Sequence, residues 1–305
     1  MSKVDIQFNL RVPSELKEKI EVSAQHNNRS INAEAVSRLY NSFSESQQNL
    51  SASIKAFEEM LRQNRPSSRR TKIAARLNIS LEKVNEALTC SKKLSPARIA
   101  KNMGNNYAEP MENFFMGLEE PSFSQLENIA EYLNINSDWL LFGEGSIFSI
   151  SYSRVPTPEQ DGVNWLTDKN LNNNLTHLYF LRQDSEAGEL IIIKQYGNWH
   201  CKVFKTPYHI SEVIGATGES NLIRLFSTWK LLDKQSSPPS VRSFLISPKD
   251  YQTILSGETH PLTIINQLTD KPWWEDIWDH NVYEKMDYWD GWKSLCRRIN
   301  NLRKS

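Results

Sequence analysis

The seven residues Ile6, Gln7, Phe8, Asn9, Leu10, Arg11 and Val12 alternate strictly between apolar and polar. Successive side chains of a strand point to opposite faces. Ile6, Phe8, Leu10 and Val12 therefore share one face, and Gln7, Asn9 and Arg11 share the other. No partner strand follows in the sequence, so the strand must pair with something else, and a second copy of itself is the simplest candidate. The polar face carries chemistry, because Gln and Asn pair bidentately with adenine and Arg with guanine. The alternation alone also fits an ordinary edge strand with a solvated polar face.

The next residues narrow the reading. Pro13 and Ser14 suit a helix start. Leu16, Ile20 and Ala24 recur every four residues as one apolar stripe, and Asn27 and Asn28 tolerate the left-handed conformation that ends a helix. Ser30 can cap a second helix whose stripe is Ile31, Ala35, Leu39 and Phe43. The spacing predicts strand, helix, turn, helix. Units this small have too little chain for a private core and are usually completed by oligomerisation.

Residues Gln7 to Arg11, Pro13, Asn28-Arg29-Ser30-Ile31-Asn32, Glu34 and Ser42-Phe43 resemble the Arc repressor group of ribbon-helix-helix proteins, without a gap over residues 1–43. The resemblance implies that two chains pair their strands into a ribbon that enters the major groove. It implies base-edge contacts from Gln7, Asn9 and Arg11, and a phosphate held by the start of the second helix at Ser30 and Asn32. Arg29, Glu34 and Arg38 are similar to the family's buried ion-pair triad, which in Arc itself is replaceable by apolar residues. Val12 departs from the pattern, since Arc has tryptophan there. Packing beneath the ribbon is expected to be looser, with the base-reading face unaffected.

The chain has 305 residues, so two or three domains are expected. Basic and acidic residues balance at 36 each, but unevenly along the chain. Residues 51–100 carry a net +7 and residues 101–150 a net −7. Counter-ion release from phosphate contacts supplies most non-specific DNA affinity. The basic stretch with Arg62, Arg65, Arg69, Arg70, Lys72 and Arg76 can provide it, or can pair with the acidic segment instead. Cys90, Cys201 and Cys296 are far apart and lack metal spacing, which suggests reduced buried thiols. The N-terminus has no hydrophobic signal segment and no apolar run is long enough to span a membrane. A cytoplasmic protein with no membrane partner is expected, and the Arc resemblance implies a phage or prophage source.

The expected organisation is multidomain. A dimeric ribbon-helix-helix domain occupies 1–49, a helix and linker 50–68, an all-α domain 69–150, a linker 151–175, and a small α+β domain with a Trp-rich end 176–305. Within the all-α part, stripes at Ile73-Ala74-Leu77 and Leu81-Val84-Leu88 read as two helices broken at Asn78. Ile99-Ala100 to Gly104, Gly117, Glu120-Pro121-Ser122, the stripe Leu126-Ile129-Ala130-Leu133, and Trp139 to Gly145 resemble the lambda-repressor-like helix-turn-helix family over about 81–148. The expected recognition helix, 106–116, contains Glu109 and Glu112 and no Lys or Arg, and two carboxylates facing phosphates are repelled. This module either reads DNA through Asn105, Asn106 and Tyr107 or contacts a protein partner, and the second reading is favoured.

In the C-terminal part, Leu178–Leu181, Leu190–Ile193 and Trp199–Phe204 read as strands, with a hairpin signal at Tyr196-Gly197-Asn198. Leu222–Leu232 and Ser243–Ile246 read as further strands, and helices are expected at Pro248–Leu255 and from Trp273 onward. Five of the nine tryptophans lie between Trp273 and Trp292, most simply as core or a dimer surface. Nothing points to catalysis, a metal or a cofactor. Ala187-Gly188 resembles the self-cleavage bond of some phage repressors but lacks a convincing Ser–Lys pair. His200 and Cys201 are neighbours on a strand and point to opposite faces. The expectation is a non-enzymatic, sequence-specific DNA-binding transcriptional regulator whose partners are double-stranded DNA, further copies of itself as a homodimer or higher oligomer, and a protein bound through 69–150. The alternative is an effector or toxin-like protein with its activity in 176–305 and an autoregulatory N-terminus.

Overall fold

The computed structural model describes residues 11–42, 68–89, 92–168, 174–236 and 239–302. The chain divides into two compact units, Met1–Ser67 and Ser68–Ser305. The first contains α1 (Ser14–His26) and α2 (31–42). Residues 6–10 of the strand expected over 6–12, the expected helix at 52–63, Phe43 and Cys90 lie outside the described residues, and Arg11 and Val12 are in no strand.

The second unit begins with five helices. Ser68 opens α3 (Arg69–Ala87) by accepting the Thr71 N–H. Ile73, Leu77, Leu81 and Val84 recur at helical spacing and are buried. The helix does not break at Asn78. The Asn78 amide donates to the carbonyls of Ala74 and Phe115, each at 2.8 Å, and so ties α3 to α5 instead of competing for its own backbone. Ser95 caps α4 (Pro96–Asn102), and α5 (Glu109–Met116) follows. Gly117 ends α5 at φ +70°, and a Cβ there would sit 3.3 Å from that of Ala74. The left-handed turn and the close helix approach both favour glycine. Ser122 and Gln125 form a reciprocal capping box on α6 (Phe123–Leu133), and α7 (Ser137–Phe142) completes the set. Ile73, Leu77, Ile99, Phe114, Leu126 and Leu140 belong to their shared core.

The chain then runs β1 (Ile150–Tyr152), α8 (Glu159–Leu166), β2 (Leu175–Gln183), β3 (Glu189–Tyr196), β4 (His200–His209), α9 (Ala216–Asp233) and β5 (Ser240–Ile246). It ends with α10 (Pro248–Ser256), α11 (Pro261–Ile265), α12 (Trp273–Asp276), α13 (His280–Tyr283) and α14 (Trp292–Leu302). The strands form one mixed sheet in the order β1-β4-β3-β2-β5. Its two inner pairings, β2–β3 and β3–β4, are antiparallel, and β1–β4 and β2–β5 are parallel. Phe180 stands opposite Ile192, and Leu181 opposite Ile191. Leu178 and Phe180 enter a core with α8, α9 and α12 to α14, whereas Tyr179 and Leu181 enter a second core with α10, α11 and Ala87 at the end of α3. Helices on both faces explain the continuous apolar run of β3. Gly197, at φ +63°, lies in the predicted β3–β4 turn.

Three further expectations change. Residues 222–232 are helical, in α9, because Leu222, Leu225, Phe226, Trp229 and Leu232 recur at three- and four-residue spacing against the sheet. The stretch 151–175 is not a bare linker, since α8 buries Val163 and Leu166. The segments 69–150 and 176–305 fall in one compact unit. Hydrogen bonds join them, from Asn134 Nδ2 to the Cys201 carbonyl (2.9 Å), from Phe148 N–H to the Gly257 carbonyl (2.8 Å) and from Asn266 Nδ2 to the Ala87 carbonyl (3.0 Å). The tryptophans of the C-terminal helices fill core, with Trp273 and Trp292 fully buried. At the outer side of β5, Asp270 accepts from the Ser243 N–H and the Arg242 guanidinium, and Lys271 N–H donates to the Ser243 carbonyl.

His260 sits at the junction of the helices and the sheet with no exposed surface. Its Nδ1 accepts the Leu262 N–H (3.2 Å), so Nε2 holds the proton and donates to the Trp199 carbonyl (2.9 Å). A second ring proton would face an N–H donor, and burial pushes the imidazole down to about 4. The unfolded chain takes that proton near 6.5, so the contribution to stability is whole above that pH and is lost as pH falls toward 4. The loss amounts to about 3 kcal/mol. Urea unfolding followed by tryptophan fluorescence is expected to show a lower midpoint at about pH 4.5 than at about pH 7, and His260→Gln should flatten the difference.

Candidate nucleic-acid interface

Pro13 precedes α1, and its carbonyl accepts the N–H groups of Leu16 and Lys17. The helix ends where Asn28 adopts φ +51°, a left-handed turn that asparagine tolerates. Ser30 then caps α2, its hydroxyl accepting the Ala33 N–H at 3.2 Å and its carbonyl the Glu34 N–H. Asn32 is exposed in the first turn of α2, where helix N–H groups lack intrahelical acceptors. Arg11 is exposed just ahead of α1, in a residue outside any helix. Gln7 and Asn9 lie outside the described residues. Of the five expected DNA-contacting residues, the structure therefore places Arg11, Ser30 and Asn32.

Glu34 locks the two helices together. Its Oε1 accepts from Ser23 Oγ (2.8 Å), Asn27 Nδ2 (3.1 Å) and Arg38 Nε (3.0 Å), while Arg29 approaches Oε2 at 4.0 Å. The hydroxyl, amide and guanidinium donors hold the carboxyl below its ordinary range. Arg29, Glu34 and Arg38 thus meet, but only Glu34 is buried: the two arginines are more than half exposed, unlike the buried triad that the resemblance implies. The apolar stripes do not close a core. Ala24 is buried, but Leu16, Ile31 and Leu39 are exposed, as are Val22 (68%) and Tyr40 (73%).

The basic stretch is partly engaged by the acidic segment that follows it. Arg69 pairs with Glu120 at 2.9 Å and lies 5.0 Å over the Phe123 ring. Arg70 donates to the Leu118 carbonyl and Arg76 to that of Leu141. Arg62 and Arg65 lie outside the described residues. On α5, Met111, Phe114 and Phe115 are buried, and Glu109, Glu112 and Met116 face solvent. Asn105, Asn106 and Tyr107 are exposed ahead of that helix.

Elsewhere the chemistry is muted. A groove of about 1110 Å³ lies between α6 and the β4 side of the sheet, with Asn128, Glu131, Ser151, Trp199 and Lys202 among its walls. His200 Nε2 meets the Tyr132 carbonyl, and burial raises the Cys201 and Cys296 thiols well above the ordinary range. Ala187-Gly188 forms part of the β2–β3 turn, its Ala187 carbonyl 3.1 Å from His209 Nδ1. No group of three or more His, Cys, Asp or Glu is placed to hold a metal among the described residues. No helix among them is long and apolar enough to cross a membrane.

Residues 1–48 match the family described as Arc-like DNA binding domain. The N-terminal part of this chain is therefore an Arc-like DNA-binding domain. Comparison with curated proteins and with solved structures gave no match.

Since Glu34 is nearly fully buried under three donors, Glu34→Ala should loosen both helices. Hydrogen exchange of the full chain is expected to show faster exchange of α1 and α2 amides in this variant, with the second unit unaltered. In the unsubstituted chain, acid below the ordinary carboxylate range should weaken the same helices, because a depressed carboxyl stabilises only while ionised.

Proposed function

We propose that the chain is a sequence-specific DNA-binding transcriptional regulator, phage or prophage encoded, working as a dimer. The observation that carries the reading is the Arc-like match over residues 1–48. The exposed apolar side chains of α1 and α2 support it, because pairing with a second copy supplies the core that one chain lacks. In this reading Gln7, Asn9 and Arg11 of each copy read major-groove bases, and the start of α2 at Ser30 and Asn32 holds a phosphate. The Arg11 side chain is exposed, as a base contact requires.

Residues 69–150 act in this reading as a protein-contact module and not as a second DNA reader. The outer face of α5 presents carboxylates, which duplex phosphates repel. The sheet and its helices over 176–305 share one compact unit with that module, and no enzymatic step is assigned to them.

Selection of duplexes from a random pool tests the proposal. The intact chain is expected to enrich a palindromic motif, which a Gln7, Asn9 and Arg11 triple-alanine variant fails to enrich. Arg11→Ala alone should weaken specific binding by about 1–3 kcal/mol without altering the fold. An unchanged affinity for the selected duplex would rule out base reading by Arg11. Glu109→Gln combined with Glu112→Gln should leave the same affinity within twofold, and a large gain would mean that α5 lies against the duplex.

A further inference from the structure

We propose that the outer face of α5 docks a basic segment of a partner protein that carries apolar anchors. The proposal rests on the reading of residues 69–150 as a protein-contact module and names its surface and the chemistry of what it takes. Glu109, Glu112 and Met116 are spaced three and four apart, so they fall on one side of the helix, opposite the buried Met111, Phe114 and Phe115. Tyr107, ahead of the helix, and Leu118, just past its Gly117 cap, are exposed as well. Tyr107 is 78% exposed, Met116 60% and Leu118 62%. Three large apolar side chains this open along one short helix and its flanks, with carboxylates between them, have the composition of a recognition face and not of a solvated one.

Charge selects the occupant. Glu109, Glu112 and the exposed Glu119 have no cation bonded to them among the described residues, and the segment 101–150 carries a net −7. Duplex DNA and anionic membranes have the wrong sign. A second copy docking through the same face about a two-fold axis sets carboxylate against carboxylate, which costs affinity. A segment with Lys or Arg flanking apolar residues meets both features at once. Its cations neutralise Glu109 and Glu112, while its apolar anchors cover Tyr107, Met116 and Leu118.

The test is selection from a displayed library of random peptides against the full chain, followed by titration of the selected peptides. Each is titrated against the unsubstituted chain, against Glu109→Lys with Glu112→Lys, against Met116→Ser, and against a control with Glu82→Lys and Glu258→Lys, which has the same net charge. The expected peptides combine basic and apolar residues and bind more weakly as salt rises. They lose affinity by about tenfold or more in the α5 variants while the control binds normally. Selected peptides that compete with one another but bind all four chains alike would overturn the α5 face and leave the module reading standing. Failure to enrich any peptide would overturn both. A gain in binding to random duplex DNA by the double Glu→Lys variant beyond that of the control, with no peptide enriched, would point to a nucleic-acid face and overturn the proposal.

Discussion

The β2–β3 pair is apolar on both faces, and most of the second unit follows from covering it. A strand with Leu190, Ile191, Ile192 and Ile193 in succession cannot turn either side to water. One face is closed by α8, α9 and the C-terminal tryptophan helices, the other by α10, α11 and the end of α3. Two cations are buried within this arrangement and both are fully provided for, as buried charge requires. Arg182 donates to the carbonyls of Ile210, Gln183 and Ser185 and lies 4.1 Å over the Trp289 ring, with burial pushing its guanidinium down to about 10. Lys194 donates to Asp168 and to the Trp165 carbonyl, with its ammonium 3.9 Å over the Trp165 ring. Each fastens an irregular segment to the sheet: Arg182 holds the residues around Ser185 and Ile210, and Lys194 the end of α8.

The Arc-like part shows the opposite economy. Two short helices held by Glu34 leave most of their large apolar side chains outside. The two units differ in this respect: the second supplies its own cover, and the described residues of the first leave those side chains exposed. Charge divides in a related way, because arginines at the start of α3 are used within their own unit while the carboxylates of α5 stay open to solvent.

Much of this was readable from residue order, and the failures have identifiable causes. The alternation at 6–12 and the spacings of the two following helices led directly to the Arc-like domain, since local pattern and family motif coincide there. The β3–β4 hairpin was legible because glycine marks the left-handed turn between two apolar runs. Asn78 misled because its amide bonds to α5, a partner distant in sequence. Leu222 to Leu232 was misread as strand because its apolar density hid a helical spacing that Leu222, Leu225, Phe226, Trp229 and Leu232 in fact display. The joining of 69–150 to the sheet and its helices depends on single contacts such as Asn134 to Cys201 and Asn266 to Ala87, which carry no periodic signal.

The treatment of β5 has a consequence for behaviour at high concentration. An edge strand offers a row of backbone donors and acceptors to any neighbour, and chains held side by side are the ones most exposed to it. Here the Ser243 N–H and carbonyl are both taken by the Asp270-Lys271 segment, and Arg242 is drawn onto Asp270. The opposite edge, β1, is only three residues long. Among the described residues, a strand adding to this sheet would therefore meet an occupied position at Ser243 on one margin and a three-residue strand on the other, which limits what crowding of many copies can seed.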